Sequence, residues 1–182
     1  MHGANSITLI LGGARSGKSR LAQKLAASHS SVVFVATARP IDDEMRRKIE
    51  RHKAERPSEW LTVEEQISLD RTVRDYAPRF RMLVVDCLTL YAANLLSTAN
   101  SDWEAILPNV NSFCSELRAA KCSIVLVSNE VGSGIVPEYP SGRVFRDLLG
   151  AINQQVAAIA DNVVLMVAGL PLMLKGELEI QP

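Results

Sequence analysis

The segment ITLILGGARSGKS, residues 7–19, decides the fold of this chain. Its apolar run, residues 7–11, ends in two glycines, which is the pattern of a buried strand that leads into a turn. The spacing G-x-x-x-x-G-K-[ST], the P-loop motif, extends from Gly12 to Ser19. Because the residues after the loop have a helical pattern, the motif stands in the strand–loop–helix context that it requires.

The residue types in this loop suit the binding of a polyphosphate. Glycines let the backbone wrap around the anion with its N–H groups pointing inward, and the following helix presents its N-terminus to the charge. Lys18 adds a positive charge on the outer phosphates, which makes it a candidate catalytic residue, and the Ser19 hydroxyl can ligate Mg²⁺. The predicted nucleotide-binding residues of the loop are Gly12, Gly13, Ala14, Arg15, Ser16, Gly17, Lys18 and Ser19.

Apolar runs alternate with helical stretches along the rest of the chain. We expect further buried strands at 32–36, 82–86, 123–127 and 163–167, and a short edge strand at 60–63. We expect helices at 18–27, 43–54, 67–76, 88–96, 103–120 and 144–160. Continuous apolar strands separated by helices predict an α/β fold, with a mostly parallel sheet covered by helices on both faces. The pattern assigns no structure to the tail from residue 170 onwards.

Length and composition exclude several classes of protein. The 182 residues, 47% of them hydrophobic, fit one globular domain spanning residues 1–182. The balance of 20 Lys and Arg against 20 Asp and Glu argues against a general nucleic-acid binder, and no apolar run is long enough to span a membrane. The three cysteines form no C-x-x-C pair, so we expect reduced thiols in a cytoplasmic protein rather than disulfides or structural zinc.

A second nucleotide-binding element ends one of the predicted strands. The run MLVVD, residues 82–86, has the Walker-B form, in which the terminal carboxylate holds Mg²⁺ directly or through water. In parallel sheets ligands bind beyond the carboxyl ends of the strands, which places Asp86 at the same edge as the P-loop. Ser19 and Asp86 are therefore the predicted metal residues of a Mg²⁺–nucleoside triphosphate site. These motifs leave open which triphosphate binds and what happens to it.

His52 is a candidate nucleophile on a predicted helix. It shares a helix face with Met45 and Ile49, and lysines and arginines on both sides surround it with positive charge. Such charge attracts phosphates and favours the neutral imidazole, which is a competent nucleophile towards phosphorus. The spacing alone favours a packed or hydrogen-bonded histidine on a solvated basic helix over a nucleophile.

Several segments together resemble a known enzyme family over nearly the whole chain. They are LGGARSGKSR, VVFVATA, DDEMRRKIERHKAERPSEW with TVEE, LVVDCLT, LVSNEVGSGIVPE and RVFRDLLGAINQQVAAIAD. In this order they resemble the bifunctional adenosylcobinamide kinase and adenosylcobinamide-phosphate guanylyltransferase family of cobalamin biosynthesis. The P-loop spelling GGARSGKS and the pattern D-D-E-M…I-x-x-H-K-x-x-R-P-x-x-W are the most specific of these matches.

The resemblance implies two reactions and a set of site residues. The family phosphorylates the aminopropanol hydroxyl of adenosylcobinamide with ATP or GTP, and it then transfers GMP from GTP through a guanylylated histidine to give adenosylcobinamide-GDP. The family's guanylylated histidine corresponds to His52. The resemblance also implies a RecA-like P-loop NTPase fold and assembly as a homotrimer. Besides the P-loop, its nucleotide contacts correspond to Thr37, Ala38, Arg39, Lys53, Ala54, Glu55, Arg56, Glu64 and Asp86.

The chain departs from the family pattern at two positions. Some relatives carry two adjacent histidines where this chain has Arg51 and His52, which leaves one candidate nucleophile here. Some relatives carry Glu where Asp86 stands, and the shorter side chain favours water-mediated contact with the metal.

The sequence leaves two other functions open. A plain small-molecule kinase would need the P-loop and Mg²⁺ but no reactive histidine, and a nucleotide-dependent regulatory switch would modify no small molecule.

The turn-rich segment 129–142 follows a predicted strand, so it lies at the active edge, where it would cover the corrinoid or contact another subunit. Arg143 and Arg146 fit either a phosphate-binding role or a solvated helix face.

Overall fold

The computed structural model describes residues 5–54, 56–99 and 102–178, without the side chain of Lys48. In these ranges, seven strands form one sheet in the order β3-β2-β4-β5-β1-β6-β7. The six strands from β3 to β6 in that order are parallel, and β7 pairs with β6 in the antiparallel sense. The strands are β1 (Ile7–Gly12), β2 (Val32–Ala36), β3 (Leu61–Glu64), β4 (Met82–Asp86), β5 (Ser123–Val127), β6 (Asn162–Val167) and β7 (Leu170–Lys175).

Within the described part of the chain, six helices connect these strands and cover the sheet. They are α1 (Lys18–Ala26), α2 (Asp43–Ala54), α3 (Leu69–Tyr76), α4 (Leu88–Thr98), α5 (Leu107–Ala119) and α6 (Pro140–Ile159). Leu9 belongs to a core shared with α3, α4, α5 and α6, while Ile10 belongs to a second core shared with α1. Alternate residues of β1 thus face opposite cores, which confirms the expected α/β fold with helices on both faces of a mostly parallel sheet.

Helix starts account for most differences between the sequence prediction and the structure. The α3 helix begins at Leu69 rather than 67, because the Glu65 carboxylate accepts the backbone N–H groups of Ile67 and Ser68 at 2.8 Å each and holds a turn there. The α5 and α6 helices begin at Leu107 and Pro140, where we expected 103 and 144. Both have proline in the first two positions, where its missing N–H costs nothing.

The edges of the sheet also differ from the prediction. Strand β3 begins at Leu61, and Trp60 is buried instead, with its ring 6.5 Å from that of Phe34. The tail after Gly169, to which the sequence assigned no structure, forms β7. Its pairing with β6 places a strand of exposed leucines at the end of the sheet.

None of the helices formed by the described residues has the length and apolar character needed to cross a membrane.

Candidate functional site

The P-loop joins β1 to α1, and two glycines allow its shape. A side chain at Gly12 would bring a Cβ atom within 2.5 Å of the Met166 carbonyl oxygen, so only glycine permits this approach of β1 to β6. Gly17 has a φ of 97°, in the left-handed region that favours glycine, immediately before the first residue of α1. The loop therefore has the strand–turn–helix geometry expected of a phosphate cradle.

Lys18 is held inside this loop. Its side chain is 9% exposed, and its Nζ atom donates to the Gly13 carbonyl oxygen at 2.6 Å and to Ser16 Oγ at 3.4 Å. Burial lowers the pKa of the Lys18 ammonium, and the nearby Cys87 and Asp86 oppose that shift. The ammonium therefore lies close to the end of β4, as the pairing of P-loop and Walker-B strand predicts.

The oxygen donors at this edge suit a magnesium ion that is also bound by phosphates. Asp86 is half-buried at the end of β4, and Ser19 is half-buried in the first turn of α1. Across the described ranges, no group of three or more His, Cys, Asp or Glu side chains could hold a metal alone. A hydroxyl and one carboxylate fit Mg²⁺, which normally takes few protein ligands and completes its shell with phosphates and water.

Thr37 connects the ends of β2 and β4. Its hydroxyl donates to the Cys87 carbonyl at 2.7 Å and accepts the Cys87 N–H at 2.8 Å, while Asn94 donates to the Thr37 carbonyl at 2.9 Å. Thr37 is fully buried, whereas Ala38 and Arg39 are half-buried. A nucleotide contact at this segment would therefore use Ala38 and Arg39, with Thr37 fixing their position. Asn94 was missed by the sequence analysis, because an amide in a helix carries no motif.

The helix that carries His52 has one half-buried face. Asp42 accepts the Met45 N–H at 2.7 Å and caps the helix start, as the sequence predicts. Met45, Ile49 and His52 are half-buried, while the other described side chains of α2 are exposed. The predicted shared face is thus confirmed.

The last turn of α2 lies near the carboxyl end of β3. Lys53 Nζ is 3.9 Å from Glu64 Oε1, and both side chains are more than half exposed, so this ion pair contributes little stability. It nevertheless places the residue after His52 at the carboxyl edge of the sheet. Ala54 is exposed, and Glu55, also predicted to contact nucleotide, lies outside the described residues.

Arg56 is held against aromatic rings at the same edge. Its guanidinium carbon lies 3.7 Å from the centre of the Phe34 ring, which stacks on Trp60. Burial lowers the pKa of the guanidinium, and the negative charges of Asp86 and Glu64 oppose the shift. Its buried Nε atom has no hydrogen-bond partner among the described residues. A flat, positively charged group with an unused donor beside Asp86 suits a phosphate or a nucleotide base.

The loop after β5 is fixed by hydrogen bonds to its own neighbours. Arg143 donates to the carbonyl oxygens of Pro137 and Glu138 at 3.1 and 2.5 Å, and Arg146 donates to the Gly132 carbonyl at 2.6 Å. The two arginines, for which the sequence allowed a phosphate-binding role, thus hold the loop in this structure.

Comparison with known proteins identifies the family. The family model for cobinamide kinase / cobinamide phosphate guanyltransferase matches residues 8–174. The bifunctional adenosylcobalamin biosynthesis protein CobP of Pseudomonas aeruginosa is 45% identical over 175 residues, covering 93% of this chain and 97% of that protein. The bifunctional adenosylcobalamin biosynthesis protein CobU of Escherichia coli is 39% identical over 178 residues, covering 92% and 98%.

A solved structure confirms the fold class. An ATPase from the type III secretion system of pathogenic bacteria superimposes with a TM-score of 0.59 at 17% identity, over 91% of this chain and 52% of that one. At this identity the likeness concerns the fold alone, and it agrees with the predicted RecA-like P-loop architecture. The motifs, the fold and the match over residues 8–174 lead to one assignment: the chain belongs to the cobinamide kinase / cobinamide phosphate guanyltransferase family.

Proposed function

We propose that this protein catalyses both reactions for which its family is named, with one nucleotide-binding edge serving both. The observation that carries the proposal is the convergence of Lys18, Asp86 and Arg56 at the carboxyl edge of the sheet, with the helix of His52 ending beside it. This edge combines a phosphate cradle, a metal carboxylate, a second cation and a candidate nucleophile. Adenosylcobinamide and a nucleoside triphosphate are its substrates.

The kinase reaction uses the P-loop. The P-loop amides and Lys18 bind the outer phosphates of ATP or GTP and offset the charge that develops on them during transfer. The hydroxyl oxygen of the aminopropanol arm bonds to the γ-phosphorus while the bond from that phosphorus to the β–γ bridging oxygen breaks. Adenosylcobinamide phosphate and a nucleoside diphosphate are the products.

The guanylyltransferase reaction uses His52 as the nucleophile. A neutral imidazole nitrogen bonds to the α-phosphorus of GTP, and the bond to the α–β bridging oxygen breaks, which releases pyrophosphate. A phosphate oxygen of adenosylcobinamide phosphate then bonds to that phosphorus as the P–N bond breaks, giving adenosylcobinamide-GDP. The cations Lys53 and Arg56 and the residues Ala38 and Arg39 are the proposed contacts with the GTP.

Mg²⁺ is the proposed metal, held by Ser19 and Asp86. When bound, the ion would draw electron density from the phosphate oxygens and so favour attack at phosphorus. Asp86 keeps its carboxylate at the end of β4, and Ser19 keeps its hydroxyl in the first turn of α1.

The direct test is the intact mass of the protein after incubation with GTP and Mg²⁺, without corrinoid. We expect the mass to increase by one GMP, and label from α-labelled GTP to appear on the protein. A plain small-molecule kinase would phosphorylate adenosylcobinamide yet acquire no label, whereas a regulatory switch would do neither. The result therefore separates the three functions that the sequence left open.

We also propose that the protein forms a homotrimer in the cytoplasm. Strand β7 exposes Leu170, Leu172 and Leu174 by 71, 54 and 55%, and an apolar edge strand is a surface that favours self-association. The free thiols of Cys87, Cys114 and Cys122 are typical of a reducing compartment. Light scattering should give three times the chain mass, and Leu172→Asp should lower it.

A further inference from the structure

A cavity of about 410 Å³ adjoins the P-loop on the side away from Asp86. One wall is the backbone of Gly13 to Ser16, and the others are Glu130 and Ser133 after β5 and the residues around Met166 that end β6. Asp86 and Arg56 lie instead near β4 and β2. In the order of strands, these are on the other side of β1 from β6. Apart from the P-loop itself, the cavity is therefore lined by none of the residues assigned to the nucleotide.

Glu130 is fixed at the wall of this cavity. Its N–H donates to the Gly12 carbonyl at 3.2 Å, which attaches the loop after β5 to the first residue of the P-loop. One carboxylate oxygen accepts the Gly132 N–H at 2.6 Å, and Arg146 holds Gly132 from the other side. A carboxylate accepts several hydrogen bonds, so Glu130 can receive a further donor while this one keeps it in place.

The same loop exposes apolar side chains in the residues that follow Ser133, which lines the cavity. Ile135, Val136 and Tyr139 are 96, 60 and 73% exposed, although Arg143 fixes the backbone between them. Clustered apolar groups on an ordered surface mark a contact with a ligand or another protein.

We propose that this cavity is the acceptor site of the kinase reaction, in which Glu130 binds the hydroxyl of the aminopropanol arm and Ile135, Val136 and Tyr139 contact the corrinoid. The inference rests on the proposed kinase function. A corrinoid is a wide macrocycle bordered by methyl groups and far larger than this cavity. Only its side arm can enter, so the ring must lie against the surface outside, where the apolar side chains are.

The chemistry needs a proton acceptor at this position. As the hydroxyl oxygen bonds to the γ-phosphorus, its O–H bond breaks, and the proton passes to the Glu130 carboxylate and then to water. The nucleoside diphosphate leaves with the electron pair of the broken P–O bond. Approach from the cavity brings the hydroxyl to the P-loop without displacing the groups proposed to bind GTP near Arg56.

Two kinds of variant test the site in the full-length protein. Glu130→Gln keeps the carbonyl oxygen that accepts the Gly132 N–H but removes the proton acceptor, so the kinase kcat should fall by about 10²-fold or more with little change in the KM for adenosylcobinamide. Ile135→Ser and Tyr139→Ser should raise that KM about tenfold and leave kcat unchanged, for loss of about 1.4 kcal/mol of binding. Trp103→Ser, a 40% exposed side chain before α5 that does not line the cavity, is the matched control and should alter neither.

Attachment of GMP from GTP needs no corrinoid, and it should stay at the wild-type rate in all these variants. An unchanged kcat in Glu130→Gln, or equal loss of kinase activity and GMP attachment, would overturn the site. Serine variants that lower the oligomeric mass while keeping the wild-type KM would show that the apolar surface is a subunit contact, which also overturns it. A wild-type protein with no kinase activity would instead refute the proposed function itself.

Discussion

The guanidinium of Arg56 lies over the Phe34 ring, with its central carbon 3.7 Å from the ring centre. Trp60 stacks on the same ring, so two aromatic side chains fix the place of one cation next to the carboxyl end of β4. A cation held in this way loses little further conformational freedom when it binds an anion. The effect of the position of the Arg56 guanidinium on GTP binding can therefore be tested separately from the effect of its charge.

We expect Arg56→Lys to keep the charge but to weaken GTP binding. Lysine has neither the planar surface for Phe34 nor the forked donors for a phosphate, so the KM for GTP in GMP attachment should rise about tenfold. The measurement is the initial rate of GMP attachment against GTP concentration. Arg79→Lys is the control, because Arg79 also lies over a ring, that of Tyr76 at 5.6 Å, at the other edge of the sheet. Equal KM values for Arg56→Lys and wild type would contradict the role.

Lys18→Ala should weaken both reactions. Removing the buried ammonium leaves the charge on the outer phosphates without its partner, and each rate should fall by about 10²-fold or more. The phosphorylation of adenosylcobinamide and the attachment of GMP are measured separately. Lys121→Ala, an exposed residue in the turn before β5, should leave both rates unchanged. A Lys18→Ala variant with normal rates would mean that the P-loop does not bind the reacting nucleotide.

Much of the P-loop edge of the sheet could be predicted, because its signals are local. Thirteen consecutive residues, 7–19, contain the strand, the turn and the helix start, and Asp42 caps α2 within three residues of its partner. The contacts around Arg56 were not predictable, because they depend on how strands pair. Only the register of β2 with β3, Val33 beside Leu61, brings Trp60 to Phe34. The Thr37–Cys87 pair likewise joins residues 50 positions apart.

Strand β7 shows a different reason for failure. Its sequence, LPLMLK, has a proline at its second position and no polar alternation, so its composition indicates neither a strand nor a helix. Pairing with β6 decides its structure, and Pro171 is tolerated because β7 lies at the edge of the sheet.

Asp86→Asn should raise the requirement for Mg²⁺. Asparagine keeps the size of the side chain but loses the negative charge that attracts a hard cation, so we expect the Mg²⁺ concentration for half-maximal rate to rise about tenfold. Titration of both reactions with MgCl₂ gives this value. Asp75→Asn, an exposed change on α3, serves as control. An unchanged titration curve would exclude Asp86 from the metal site.

The buried thiol of Cys122 should make stability depend on pH in the alkaline range. Burial raises the pKa of Cys122 to about 11, from its ordinary value of 9.0. Between these values the unfolded chain releases a proton that the folded chain keeps, so the stabilisation is complete below pH 9 and is lost as the pH rises to 11. We expect the difference in unfolding free energy between wild type and Cys122→Ala to fall by about 2 kcal/mol across this range. Urea titrations at both pH values measure it, and a constant difference would contradict the prediction.

The proposed nucleophile gives the sharpest prediction. His52→Asn keeps the approximate size of the side chain and some hydrogen bonding, but it removes the nitrogen that would bond to phosphorus. We expect the variant to acquire no GMP from GTP, because no covalent intermediate can form. Much of its kinase activity should remain, since the cobinamide hydroxyl attacks the γ-phosphate directly. His29→Asn, in the loop before β2, is the matched control and should acquire GMP at the wild-type rate.

The wild-type adduct should be labile in acid and stable in alkali, as a P–N bond to histidine is, because protonation of the ring makes it a good leaving group. Peptide mapping should place the GMP on the peptide that contains His52. A His52→Asn variant that still increases in mass by one GMP, or a GMP mapped to Lys53, would refute the assignment. Loss of GMP attachment together with all kinase activity would instead indicate that α2 supports the P-loop, since the kinase reaction needs no imidazole at this position.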